Sequence, residues 1–149
     1  MAAAGISDEE FRAYAALIAS STLLQRAVER NLREQADLTQ VQFEILMNLA
    51  NAGPAGIRMA QLADALIVSR SGLSYQVAQL ESRGWITRER SADDERGVVA
   101  RITPAGERIR RRVFAGHVDV VRRAFLDAVE PGELATLTVA LERVAERLR

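Results

Sequence analysis

Cysteine and lysine are absent from this chain, and histidine occurs once. Without cysteine there is no disulfide scaffold, no thiolate zinc site, no cysteine nucleophile and no thiol redox sensor. A single histidine excludes a multi-histidine metal site. No apolar run approaches the roughly 20 residues that span a bilayer, so no membrane segment is expected. The opening residues MAAAGISDEEF lack a basic stretch followed by an apolar one. They do not read as a secretory signal, and a soluble cytoplasmic protein is expected. G-x-G-x-x-G, P-loop and H-E-x-x-H patterns are missing, as is any credible nucleophile–base pair, so neither an enzyme nor a cofactor is expected.

What is present is 149 residues, enough for one domain or one domain with an arm. A chain of this size buries roughly 68–70% of its unfolded surface without help from a metal or a disulfide. Twenty arginines balance 20 acids, but unevenly. Residues 1–56 carry a net −3, residues 57–112 a net +4 and residues 113–149 a net −1. A basic middle between acidic ends is the footprint expected of a nucleic-acid binder. On charge alone, chance clustering in an arginine-rich sequence is the simpler account.

The periodicity resolves six helices and a hairpin. Ser7 with Glu10 has capping-box spacing, and Phe11, Ala15, Ile18, Thr22, Gln25, Val28 and Leu32 follow at helical intervals to about Glu34. Thr39 caps a second helix with Phe43, Leu46, Met47 and Ala50 on its apolar face. After the turn cluster 51–56, Met59, Leu62, Ala63 and Leu66 mark a third. Ser69 caps a fourth, Arg70–Arg83, with the stripe Leu73, Val77 and Leu80 and a terminating Gly84. The period then drops to two. Residues 85–90 and 98–103 read as strands around the polar loop 91–97. Thr103-Pro104 opens a fifth helix to about Val129. Pro131 opens a sixth, with the seam Leu134, Leu137, Leu141, Val144 and Leu148 suited to packing on another helix. The fold class is mainly α with a small β-hairpin. Residues 38–103 form a winged helix-turn-helix, and residues 1–37 and 104–149 form long terminal helices.

With its stripe buried, the fourth helix presents Arg70, Ser71, Ser74, Tyr75, Ala78, Gln79 and Ser82. Small polar side chains permit close approach to a major groove, while Ser, Gln and Arg reach base edges and phosphates. No acid lies between Arg70 and Leu80. A merely solvated face more often carries Glu and Lys. Gly72 near the helix start serves either close approach to a phosphate or packing on the preceding helix. Arg88, Arg90 and Arg96 gather on the hairpin, where an arginine can enter a minor groove. Asp94 is spaced to hold Arg96, although the acidic run Asp93-Asp94-Glu95 is equally a solvated tip.

The stretch VSRSGLSYQVAQLESRGWITRERSADDERGVVARITPAG resembles the DNA-binding core of the multiple-antibiotic-resistance regulator (MarR) family. The matching marks are Leu62-Ala63, Val68-Ser69, Leu80-Glu81, Gly84, Arg88, Asp94-x-Arg96, Ile102-Thr103 and Gly106, in order and at the right spacing. The long flanking helices match the family's dimerisation region in place and length. The resemblance implies a winged-helix homodimer on pseudo-palindromic double-stranded DNA, usually a repressor relieved by a ligand. It makes Arg70–Arg83 the recognition helix and Arg96 the wing arginine. The implied DNA-binding set is Ser69, Arg70, Ser71, Gly72, Ser74, Tyr75, Gln79, Arg88, Arg90, Asp94 and Arg96. Many members carry a second arginine directly after the wing Asp; Glu95 stands there in this chain, so the wing is less basic. Members often bind small aromatic or phenolic ligands, and His117 is placed to line such a cleft or, as a lone histidine on an apolar face, simply to pack. The lack of cysteine excludes the oxidant-sensing branch. The competing reading is a winged-helix protein-interaction module without DNA binding. It would demand exposed apolar anchors on the fourth helix.

Overall fold

The structure, a computed structural model, describes residues 5–91 and 94–149, and at 94–96 the backbone alone. Six helices are described: α1 (Asp8–Ala36), α2 (Gln40–Ala52), α3 (Met59–Leu66), α4 (Arg70–Ser82), α5 (Pro104–Ala124) and α6 (Leu134–Leu148). Three strands, β1 (Ile57–Arg58), β2 (Ile86–Ser91) and β3 (Asp94–Ile102), form an antiparallel sheet in the order β1-β3-β2. Helix-turn-helix and wing together make a winged-helix fold.

The chain divides into two compact units. One is Val28–His117; the other joins the chain up to Ala27 with Val118–Arg149. All the fully buried side chains lie in the first. Buried there are Leu32 and Leu38, Phe43, Ile45, Leu46 and Leu49 of α2, Leu62 of α3, Leu73, Val77 and Leu80 of α4, Ile86 and Ala100 of the sheet, and Val113 of α5. Among the described residues of the second unit none is buried. Phe11, Tyr14, Ile18 and Leu23 of α1 are exposed, as are Leu134, Val139, Leu141, Val144 and Leu148 of α6.

Local chemistry sets the boundaries. The Ser7–Glu10 box closes in both directions, with Ser7 N–H donating to Glu10 Oε2 (2.6 Å) and Glu10 N–H to Ser7 Oγ (3.2 Å). Thr39 and Gln42 form a second such box at the start of α2. Ser69 Oγ accepts from Gly72 N–H at 3.1 Å and starts α4. Thr103 caps α5 by accepting from Gly106 N–H at 3.1 Å, while its hydroxyl donates to Gly84 O at 2.7 Å. Thr103 N–H donates to Trp85 O at 2.9 Å. A side chain at Gly106 would collide with that same carbonyl. The base of the wing is thus laced to the first turn of α5.

Several expectations change. The hairpin gains a third strand, because Ile57 and Arg58 pair with Ala100 and Val99. Gly56, at φ 70°, sits where a Cβ would lie 2.5 Å from Ala100 O. Much of the expected 91–97 loop belongs to β3, which begins at Asp94. Ala92 and Asp93 lie outside the described residues. A register shift between Arg90 and Ser91 absorbs the extra length on β3. α5 stops at Ala124 rather than near Val129, since Phe125 leaves helical geometry at φ −131°. α6 starts at Leu134 rather than Pro131; Pro131-Gly132-Glu133 is spent on a turn in which Glu133 Oε2 accepts from Glu130 N–H at 3.2 Å. α4 ends at Ser82, with Arg83 as its cap.

The turn between α3 and α4 carries Ile67 at φ 54°, ψ 44° and 75% exposed. A β-branched residue in left-handed geometry is strained, and this one gains almost nothing from burial. Ile67→Gly is expected to raise stability by about 1 kcal/mol, the relief of strain exceeding the entropy of glycine. Thermal unfolding should show a midpoint roughly 2–4 °C higher.

Candidate nucleic-acid interface

The buried stripe Leu73, Val77 and Leu80 orients α4 and leaves Arg70, Ser71, Ser74, Tyr75, Ala78 and Gln79 outward. Tyr75 is 64% exposed and is the one large anchor on that face. Gln76 turns partly inward, and its Oε1 is buried without a hydrogen-bond partner. Gly72 does not pack on α3: the atom a Cβ would meet is the capping Ser69 Oγ, at 2.9 Å. Glycine here leaves room for the N-cap hydroxyl, which in turn leaves the first turn of α4 low in profile.

Between the first half of α4 and the wing lies an open cleft of about 400 Å³. Arg70, Leu73 and Ser74 line one side and Arg88, Gly97 and Val98 the other, with Arg58 and Met59 at the end. Arg58 had no sequence signal. It enters because β1 pairs with the middle of β3, a contact between residues 41 positions apart (Arg58 with Val99).

The three wing arginines differ. Arg90, at the register shift, is exposed and forms no ion pair among the described residues. Asp94 and Arg96 lie on β3, and their side chains fall outside the described residues. Arg88 is committed to Glu81 on the last turn of α4. Its Nε and Nη2 donate to Glu81 Oε2 at 3.0 and 2.6 Å, and its backbone N–H to Oε1 at 3.2 Å. These hydrogen bonds hold the Glu81 carboxyl below the usual carboxylate range. The one acid of α4 is therefore neutralised internally, and α4 and the wing strand β2 are joined by three bonds.

His117, on α5, is half-buried with its ring 4.8 Å from that of Phe43. Its Nδ1 is buried without a partner. Burial lowers its pKa, against the opposing pull of Glu44.

A family model described as MarR family matches residues 36–97. The chain is 30% identical over 129 residues to the HTH-type transcriptional regulator PecS of Dickeya dadantii (strain 3937), covering 86% of this chain and 76% of that protein. It is similar to the crystal structure of Sco3205, a MarR family transcriptional regulator from Streptomyces coelicolor, in complex with DNA. The identity is 34%, the TM-score 0.94, and the match covers 99% of this chain and 92% of that one. AbsC, a MarR family transcriptional regulator from the same organism, matches at 35% identity and TM-score 0.93 over 99% of both chains.

Two outcomes test this geometry. Glu81→Ala should lower stability by up to about 1 kcal/mol and accelerate hydrogen exchange at the Arg88 amide; unchanged exchange would show that the carboxylate does not hold the strand. For His117 the lowered pKa means that the unfolded chain binds a proton the folded chain resists. Stability should therefore be highest above about 6.5 and fall as pH drops below it. Urea midpoints at pH 7.5 and 5.5 should separate less in His117→Gln than in the wild type.

Proposed function

Because this chain belongs to the MarR family of transcriptional regulators, we propose that it works as a homodimer whose two α4 helices read a pseudo-palindromic operator in double-stranded DNA. The observation that carries this reading is the outward face of α4. It is small, polar and free of acid from Arg70 to Leu80, and the one acid beyond it is paired with Arg88. Two such helices on a twofold axis meet successive major grooves about 10–10.5 bp apart. A protein-binding face would need more apolar anchors than Tyr75 supplies.

The dimer accounts for the second unit. A set of helices with exposed Phe11, Ile18, Leu141 and Val144 and, among its described residues, none buried is not a stable object in water. The α6 seam and the apolar side of α1 give a second copy a surface to cover. Bound across two grooves, such a dimer shields on the order of 20 bp, and we assign it the role of a repressor on that ground. The small aromatic or phenolic ligand proposed to release it has one anchor in this chain, the unpartnered Nδ1 of His117 beside the Phe43 ring.

In the proposed contact, Ser69, Arg70 and Ser71 lie at phosphates near the start of α4, with Gly72 allowing approach. Ser74, Tyr75 and Gln79 face base edges. Arg90 and Arg96 address the minor groove, with Asp94 steadying Arg96, and Arg88 lines the cleft while paired with Glu81. Anisotropy titrations on the DNA upstream of its own gene and on random DNA, at two salt concentrations, test the reading. Gln79→Ala should cost on the order of 1–3 kcal/mol on the cognate site and much less on random DNA. Arg96→Ala should weaken binding to both and reduce the salt slope by about one. Equal losses on both DNAs for both variants would refute the division of labour.

A further inference from the structure

The last turn of α4 is fastened at a second point, remote from its outward face. Arg83 reaches from the end of α4 to the end of α1. Its Nη1 donates to the backbone oxygens of Ala36 (3.3 Å) and Asp37 (3.1 Å), and its Nη2 to the Asp37 carboxylate (3.1 Å). The guanidinium lies over the Trp85 ring, 4.9 Å from its centroid. From α5, Arg112 Nη2 donates to Gln35 O at 2.8 Å. The chain turns away after α1 with Asp37 at φ 50°.

A helix end leaves its final carbonyls unpaired and carries the negative pole of the helix dipole. Here the successive carbonyls of Gln35, Ala36 and Asp37 are all satisfied by guanidinium groups from other helices. Arginine suits this because one planar fork serves several acceptors at once; a lysine ammonium is a single point. The aromatic face beneath the fork restricts it further. An exposed ion pair alone would add little. What sets this one apart is the number of fixed backbone acceptors and the ring under it.

α4 is otherwise held along one line, the stripe Leu73, Val77 and Leu80, with Glu81 fastening it to the wing. Such a line resists translation better than tilt. A hold at the helix end, on a different neighbour, removes that freedom. α1 is also the helix whose other end carries the exposed apolar residues Phe11, Tyr14 and Ile18. We propose that Arg83 is a positioning residue for operator recognition. By locking the end of α4 to the end of α1 it fixes the tilt of the recognition helix, and with it the spacing between half-sites that the dimer accepts. This rests on the dimeric DNA-binding reading above.

The test uses the full chain and duplexes carrying the site that footprinting locates in the upstream DNA, with one base pair removed, unchanged or added between half-sites. Wild-type protein that fails to prefer its own upstream DNA over random DNA overturns the DNA-binding reading, and this inference with it. Given that preference, the wild type should lose roughly tenfold in affinity on either change of spacing. Arg83→Ala should bind the unchanged site within a few-fold of wild type and remain dimeric, yet discriminate among the three spacings by less than about threefold. Trp85 is the only tryptophan, so its emission reports the clamp directly. Acrylamide quenching should increase in Arg83→Ala, and Arg83→Lys should restore part of both readouts. Wild-type spacing preference in a variant whose Trp85 has become accessible would overturn the inference. So would a uniform loss on all DNAs that follows the loss of thermal stability. Should Arg83→Ala fail to fold, Asp37→Asn removes the carboxylate arm alone and keeps a residue that tolerates left-handed geometry. It should relax the spacing preference partway, and an unchanged preference would count against the clamp.

Discussion

The protein depends on a narrow stripe. Leu73, Val77 and Leu80 are at most 1% exposed and recur at intervals of four and three along α4. That spacing buries one helical face and no more. The outward face of α4, and with it the proposed reading of DNA, follows from this allocation. The stripe decides which residues turn outward, and the remaining sequence supplies small polar groups and arginine there. Because the stripe is narrow, it defines position better than tilt, and the helix needs fastenings beyond its core. Glu81 and Arg83, on successive sides of its last turn, provide them toward the wing and toward α1.

Charge is arranged with the same economy. α4 holds one carboxylate, at its far end, and Arg88 takes it with the backbone N–H, Nε and Nη2 together. A similar internal pairing holds Glu107 of α5 between Arg110 and Arg111, and the bond from Arg110 above all keeps its carboxyl at about 2. On the wing, Arg101 joins Glu89 and the Pro54 carbonyl, tying β3 to β2 and to the turn before β1. Glu81, Glu89 and Glu107 are thus each paired with neighbouring arginines, within a stretch 57–112 that stays net basic in a chain of net charge zero.

The features legible in the sequence are those written in local hydrogen bonds and short periods. Ser7, Thr39, Ser69 and Thr103 each announce a helix start because a cap and its partner are three residues apart. Leu73, Val77 and Leu80 announce a face because the α-helical repeat is fixed. β1 was illegible: two residues cannot show a period, and their partners lie about 40 positions away. Arg88 looked like a free wing cation because its partner, Glu81, sits on another element seven residues back, across a turn. The place of Arg83 was hidden for a stronger reason. Its acceptors are mostly backbone carbonyls, which have no residue type to read.

Every cation in the described ion pairs is a guanidinium, and the chain contains no lysine. Guanidinium stays charged across any physiological pH and is a poor nucleophile toward acyl donors. The clamp on α1, the Glu81 brace and the basic face are consequently indifferent to lysine acetylation and to ordinary shifts in acidity. The attraction this surface exerts on an anion is a constant of the molecule. In the proposed dimer, control over occupancy falls to geometry, to the angle and spacing at which two fixed charge patterns are presented.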